Sequence, residues 1–294
     1  MVTRCDGSGE AQVPRKQPTA RQQRLGRELR RLREAAGMTA RQAASLLGVI
    51  SVTMSQIESG VAGVSEARVR RMAAQYACAD VELIDALVEM ATDRTAGWWE
   101  EYREVLPPTF LDLAELEHHA SFVQEIGTTH VTGPLQTEDY ARAVFAYWRP
   151  ELPASELEAR VSHRMNRKAA LARDGDCPYT AVLHESVLRT RVADRRVALA
   201  QLDEVIRQSE RPGVTVRVIP FAADRFGGAS AALLYAGGRV PPLDTVQKDT
   251  PSGSGFVDAA AQLQSMRTLF RKVESASLDP APSRDFIHRL AKEL

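Results

Sequence analysis

Along residues 21–92 the apolar positions recur at helical spacing, and five helices are predicted. The first spans about 22–36, with Leu25, Leu29 and Leu32 on one face and arginines on the other, and Gly37 placed to end it. Two short helices follow, near 40–47 and 51–59, with Gly48 between them and Gly60 after. A fourth fits 66–76, capped by Ser65. A fifth fits 81–90, capped by Asp80, with Val81, Ile84, Leu87 and Val88 as its buried stripe. Beyond Thr95 the period changes. Strand-like runs appear at 121–127, 179–185, 214–221 and 230–237, alternating with helical stretches at 138–148, 156–173, 195–209, 258–274 and 284–292. Ser155 with Glu158 reads as a capping box for the second of these helices.

The pattern predicts a multi-domain chain: an all-α five-helix helix-turn-helix domain followed by an α+β domain. Residues 1–19 lack periodicity and read as a flexible tail. Residues 20–95 form the helical domain, and 96–294 the α+β domain. GWWEEYREVLPP (97–108) joins the two, and at least one of its adjacent tryptophans is expected between the domains or against a partner.

The stretch TARQAASLLGVISVTMSQIESG (39–60) carries the strongest signal. Thr39 and Gln42 make a capping box, so the first short helix starts cleanly. Each helix is about two turns, too short to persist alone in water. Ala44, four residues before Gly48, lets the second helix cross closely, and Met54 and Ile57 seal the crossing. This is helix-turn-helix geometry, with the second helix thrust outward.

Composition changes the picture little: 44% hydrophobic and 26% charged residues are ordinary for a globular protein. Net charge is zero, but residues 1–41 carry ten basic and four acidic side chains, an excess of six that implies a segment meeting an anion. The arginines of the first helix read mostly as a solvated face. Cys5, Cys78 and Cys177 lie far apart and fit a reducing compartment. No apolar run approaches 18 residues and the start is polar, so no membrane partner is expected and the cytoplasm, with the nucleoid when bound to DNA, is the expected location.

Residues 21–90 resemble the DNA-binding domain of the Cro/Xre and lambdoid phage repressor family. The double Trp with GPLQTEDYARAV (133–144) resembles an actinobacterial regulator family, in which this module precedes a C-terminal domain of uncertain role. The resemblance implies that Ser51, Val52, Ser55 and Gln56 lie nearest the bases, and that Arg41, Gln42 and Thr53 touch phosphates. It also implies that Arg33 and Glu58 form a structural ion pair. Ile50 stands where the family has a capping Ser or Thr, so Ser51 has two readings, as cap or as base contact. The implied partners are double-stranded DNA, a second copy as homodimer, and a small partner protein (an antitoxin-like pairing) or a small-molecule effector.

No cofactor and no metal site are expected: His118 and His119 are adjacent, the other histidines scattered, and no HExxH or Cys pair is present. His184, Glu185 and Ser186 are consecutive, which does not make a triad. SGSG (252–255) reads as a loop and helix cap, and Gly227-Gly228 and Gly237-Gly238 as hairpin or bulge glycines. Tyr140, Phe145, Tyr147 and Trp148 read as core or interface. The chain is not expected to be an enzyme.

Overall fold

The structure, a computed structural model, describes residues 17–172, 177–224, 226–229, 232–250 and 253–294. Most of the tail, residues 1–16, lies outside the described residues; its end does not behave as tail. Thr19 caps the first helix, α1 (Ala20–Ala35), accepting from Gln22 N–H while Gln22 Oε1 accepts from Thr19 N–H. Then come α2 (Ala40–Leu47), α3 (Ser51–Glu58), α4 (Glu66–Gln75) and α5 (Val81–Thr92). Asp80 caps α5 through Leu83 N–H, whereas the Ser65 side chain makes no cap bond. The buried stripe of α5 runs through Leu83, Leu87, Val88 and Ala91; Val81, expected inside, is exposed.

The helices share one core, in which Leu29, Met54, Ile57, Met72 and Leu87 are fully enclosed. α1 is its spine. A Cβ on Gly26 would lie 2.6 Å from the Glu58 carbonyl oxygen and 2.7 Å from that of Ile57, so α1 and the end of α3 touch backbone to backbone. Only glycine permits this approach.

The second body contains α6 (Pro108–His119), β1 (Phe122–Gly127), α7 (Glu138–Trp148), α8 (Ala154–Asn166), β2 (Tyr179–His184), α9 (Glu185–Arg189), α10 (Arg195–Ser209), β3 (Val214–Ile219), β4 (Leu233–Gly237), β5 (Thr245–Thr250), β6 (Gly253–Val257), α11 (Ala260–Ser275) and α12 (Pro280–Glu293). It is an α+β domain built on one mixed sheet of order β3-β2-β1-β4-β5-β6. β1, β2 and β3 run parallel, and β4, β5 and β6 pair antiparallel. One face packs against α7, α10 and α12 through Val123, Ala181, Val216 and Leu234. The other packs Ile126, Val182, Tyr235 and Val246 against Leu263, Phe270 and Val273 of α11. Strand alternation sorts these residues between the faces.

Several expectations need correction. α8 begins at Ala154 after Pro153, with no side-chain cap bond, so the Ser155–Glu158 box does not form; the helix ends at Asn166 and tightens into a 3₁₀ segment, Arg167–Ala172. Of SGSG (252–255), read as loop and cap, residues 253–255 open the edge strand β6, and Ser252 lies outside the described residues. α6, β5 and β6 were not anticipated. The tryptophans do not lie between the domains: Trp99 is buried with Leu106, Leu111 and Ala114, and Trp98 packs against Tyr102 and His163.

The contact between the two bodies runs along α1. Ala20 N–H donates to Asp112 Oδ1 of α6 at 2.9 Å. Arg24 donates to the Pro242 carbonyl, and Arg27 pairs with Asp258 at 2.8 Å. Val240 and Leu243 pack on the helical core. A cleft of about 390 Å³ remains between α1, α5, α6 and the end of β4.

Gly26→Ala forces α3 away from α1 and is expected to cost about 2 kcal/mol, read as a lower urea midpoint. Gly63→Ala, where an added methyl meets nothing within 4 Å, is the control and should move the midpoint little.

Candidate nucleic-acid interface

The turn between α2 and α3 is set by Gly48, at φ 67° and ψ 32°, the left-handed region that glycine enters without strain. Its N–H bonds the Ser45 carbonyl, and Val49 N–H bonds that of Ala44, which closes α2 and redirects the chain. Ala43, Ala44 and Leu47 of α2 meet Met54 and Ile57 of α3 inside the core. From α4, Arg71 and Gln75 donate to the Leu46 carbonyl at 2.7 and 3.0 Å and hold the end of α2. α3 is thus fixed on its inner side and open on its outer one.

On that outer side Ser51, Val52 and Ser55 are exposed, and Gln56 and Thr53 half-exposed. Val52 keeps 61% of its surface in solvent and Ile50 keeps 70%. Apolar side chains so placed on a rigid helix suit contact with a thymine methyl or another apolar surface. Ser51 does not cap: Ile50 occupies the cap position, with no side-chain bond, so the Ser51 hydroxyl faces solvent at the first turn. The Gln56 amide makes no hydrogen bond among the described residues, which leaves its donor and acceptor facing outward. Arg41 and Gln42 are exposed at the start of α2. Gln42 Oε1 is engaged by Thr39 N–H at 2.8 Å, so only its amide nitrogen is available to a phosphate.

Arg33 and Glu58 form a buried fork: Nε to Oε1 at 2.6 Å and a terminal nitrogen to Oε2 at 2.9 Å. Arg33 also donates to the Met38 carbonyl at 2.6 Å, which ties the α1–α2 corner to the end of α3. The side-chain bond to Glu58 is the main reason that the Arg33 guanidinium is held above its ordinary pKa.

The charge excess at the N-terminal end has a different meaning from the one its sum implies. Every arginine of α1 faces a carboxylate of the protein: Arg21 with Asp93, Arg24 with Glu28, Arg27 with Asp258, Arg30 with Glu34, Arg31 with Glu28 and Arg33 with Glu58. The helix does not present a free basic stripe; Arg24 and Arg33 are buried. Much of the anion it meets is internal.

Residues 24–87 match a family described as helix-turn-helix domain. Residues 110–289, well over half of the chain, match a domain of unknown function, DUF5753. The chain belongs to that family. No curated protein and no solved structure matches it. The DUF5753 region starts inside α6 and ends inside α12, so it takes in the whole sheet. Among the described residues no helix is long and apolar enough to cross a membrane. The consecutive His184 and Ser186 do meet, Nδ1 to Oγ at 2.8 Å, but as a cap at the start of α9; Glu185 turns away to Arg189 and to Phe221 N–H. Within DUF5753 the sequence reading missed a buried polar cluster around Glu125. Its one local signal was a carboxylate inside the otherwise apolar strand FVQEIG.

Arg33→Met leaves Glu58 buried without a partner and is expected to cost about 3 kcal/mol. Arg33→Met with Glu58→Met should lose clearly less than the single variant in urea unfolding. Additive losses would mean that the two side chains are not coupled.

Proposed function

We propose that the protein is a sequence-specific, dimeric transcriptional regulator of the Cro/Xre repressor type, acting in the cytoplasm, whose DUF5753 domain senses a small effector or a partner protein. The observation that carries the reading is the uncovered outer face of α3, held by Gly26, the Arg33–Glu58 fork and the α2 crossing. A rigid helix with an open polar edge, beside an exposed Arg41, is the arrangement that enters a major groove. Ser51, Val52, Ser55 and Gln56 read bases; Gln56 matches the donor–acceptor pair of adenine. Arg41, Gln42 and Thr53 take phosphates. The sensing part draws support from α1, which belongs to the helical core and also bonds α6, the segment before β5 and Asp258. No reaction is assigned to the chain.

The second reading, an antitoxin-like module that binds a small protein, is favoured by Tyr147 and Trp148. These rings stack edge to face at the end of α7 and remain 78% and 59% exposed. It is compatible with the first.

The test is selection of duplexes from a random pool on the full-length protein at about 0.15 M salt, where phosphate contacts are strongly salt-dependent. The retained sequences should be two-fold related, with half-sites about 10 base pairs apart. Gln56→Ala should lose about 1–3 kcal/mol of discrimination at one base pair, whereas Arg41→Ala should weaken all sequences alike and lower the salt slope by about one. An unchanged preference in Gln56→Ala would place the base-reading face elsewhere, and a co-retained small chain would favour the second reading.

A further inference from the structure

A second crevice, of about 110 Å³, opens at the carboxyl end of β1. β2 runs parallel to β1 on one side and β4 antiparallel on the other, so the crevice lies between the carboxyl end of β1 and the amino end of β4. The walls come from Phe110 of α6, Glu125 of β1, His163 and Arg164 of α8, Arg167, and Asp249 of β5.

The polar groups there are incompletely used. Arg167 is spent on Glu117 of α6, with nitrogen–oxygen distances of 2.9 and 2.5 Å. Its nearest approach to Glu125 Oε1 is 3.8 Å, and that oxygen has no hydrogen bond although Glu125 is only 6% exposed. His163 is 1% exposed and its Nε2 is also unpartnered. Burial, with Arg167 and Arg164 close by, pushes this imidazole down to about 3, so it is neutral. A neutral imidazole carries one lone-pair acceptor, and Nε2 is the buried nitrogen left without a partner. Arg164 lies over the Phe145 ring and places one N–H on Gln136 Oε1 at 2.7 Å; it has no carboxylate within ion-pair distance among the described residues. Buried polar atoms without partners are rare in folded proteins, and several facing one crevice mark a place for water or a polar bound group.

The crevice therefore holds buried atoms without a partner on Glu125, His163 and His130, and beside them the Arg164 guanidinium, which has one N–H on Gln136. We infer that the crevice binds a small zwitterion of amino-acid size, its protonated amine on Glu125 Oε1 and His163 Nε2 and its acid group on Arg164. The volume suits it. A cavity of roughly 150 Å³ holds benzene, so this one takes about four to six non-hydrogen atoms. A metal ion is not the match: among the described residues no three His, Cys, Asp or Glu side chains are grouped to hold one.

Charge supports the same occupant. Burial raises Glu125 to about 8, against the opposing pull of Arg167, with Glu117, Arg164 and Asp249 also acting on it. The remaining titratable wall group, His130 in the loop after β1, is pushed down to about 4 by burial and is neutral. An empty crevice thus keeps Glu125 protonated near pH 7, and an arriving ammonium drives its proton off.

As the effector site of the regulator proposed above, the crevice has a short route to α1. α6 carries Glu117, which holds Arg167, and Asp112, which holds the first amide of α1.

The test uses the full-length protein with glycine, L-alanine and β-alanine as probes, and propylamine and propionate as one-headed controls. At least one zwitterion should raise the melting temperature by about 2 °C or more at 10 mM, and the controls by less than half of that. Calorimetry in two buffers of different ionisation enthalpy should show release of about one proton at pH 7. Glu125→Gln, which keeps the shape and cannot ionise when the ammonium arrives, and Arg164→Met should each weaken binding at least tenfold. The inference is overturned if no zwitterion shifts the melting temperature, if propionate alone does as well, if no proton is released, or if binding survives both substitutions. Duplex retention is measured separately without probe, so a failed crevice and a failed regulator reading give different results.

Discussion

A buried guanidinium needs partners, and on α1 the buried Arg24 and Arg33 find them in Glu28 and Glu58. On one side Arg33 grips Glu58 and fixes the end of α3, helped by the backbone contact at Gly26. On the other, Arg24 and Arg27 reach Asp258 and the carbonyl of Pro242, more than 200 residues away in the chain. The same helix thus forms the spine of the helix-turn-helix domain and the seam with the DUF5753 domain. Together with the apolar crossing of α2 and α3, these pairs fix the angle of α3 and tie it through α1 to the second body.

The local parts of this arrangement were legible in the sequence. Thr39 and Gln42 announced the start of α2, Gly48 the turn, and the spacing of Ala44, Met54 and Ile57 the crossing, because each acts through residues a few positions away. The bounds of α7 and α10 were legible for the same reason. The parallel strands were visible as apolar runs, since both of their faces are covered.

What was not legible depends on partners distant in the chain. TVQKDT has no apolar run, and β5 exists because β4 and β6 supply its hydrogen bonds from either side. α6 hid behind Pro107 and Pro108, which read as a connection; Pro108 is the first residue of the helix, where a missing N–H costs nothing. Val81 matched the period of α5 yet faces solvent, because the stripe begins two positions later. The charge of the N-terminal end was visible and its meaning was not, since Asp93 and Asp258 lie far from the arginines they meet. The crevice at β1 was hidden in the same way: Glu117, Glu125, His163 and Arg167 come from α6, β1, α8 and the 3₁₀ segment after it, and only the fold brings them together.

The central claim is that the outer edge of α3 meets duplex DNA while α1 faces the rest of the protein. Photocrosslinking addresses it directly, with a photoreactive group on a cysteine at Ser55 and, separately, at Glu89 beside the cleft between the two bodies. The account predicts that a selected duplex is captured by the group at position 55 and not by the one at 89. Capture at 89 with none at 55 would contradict it.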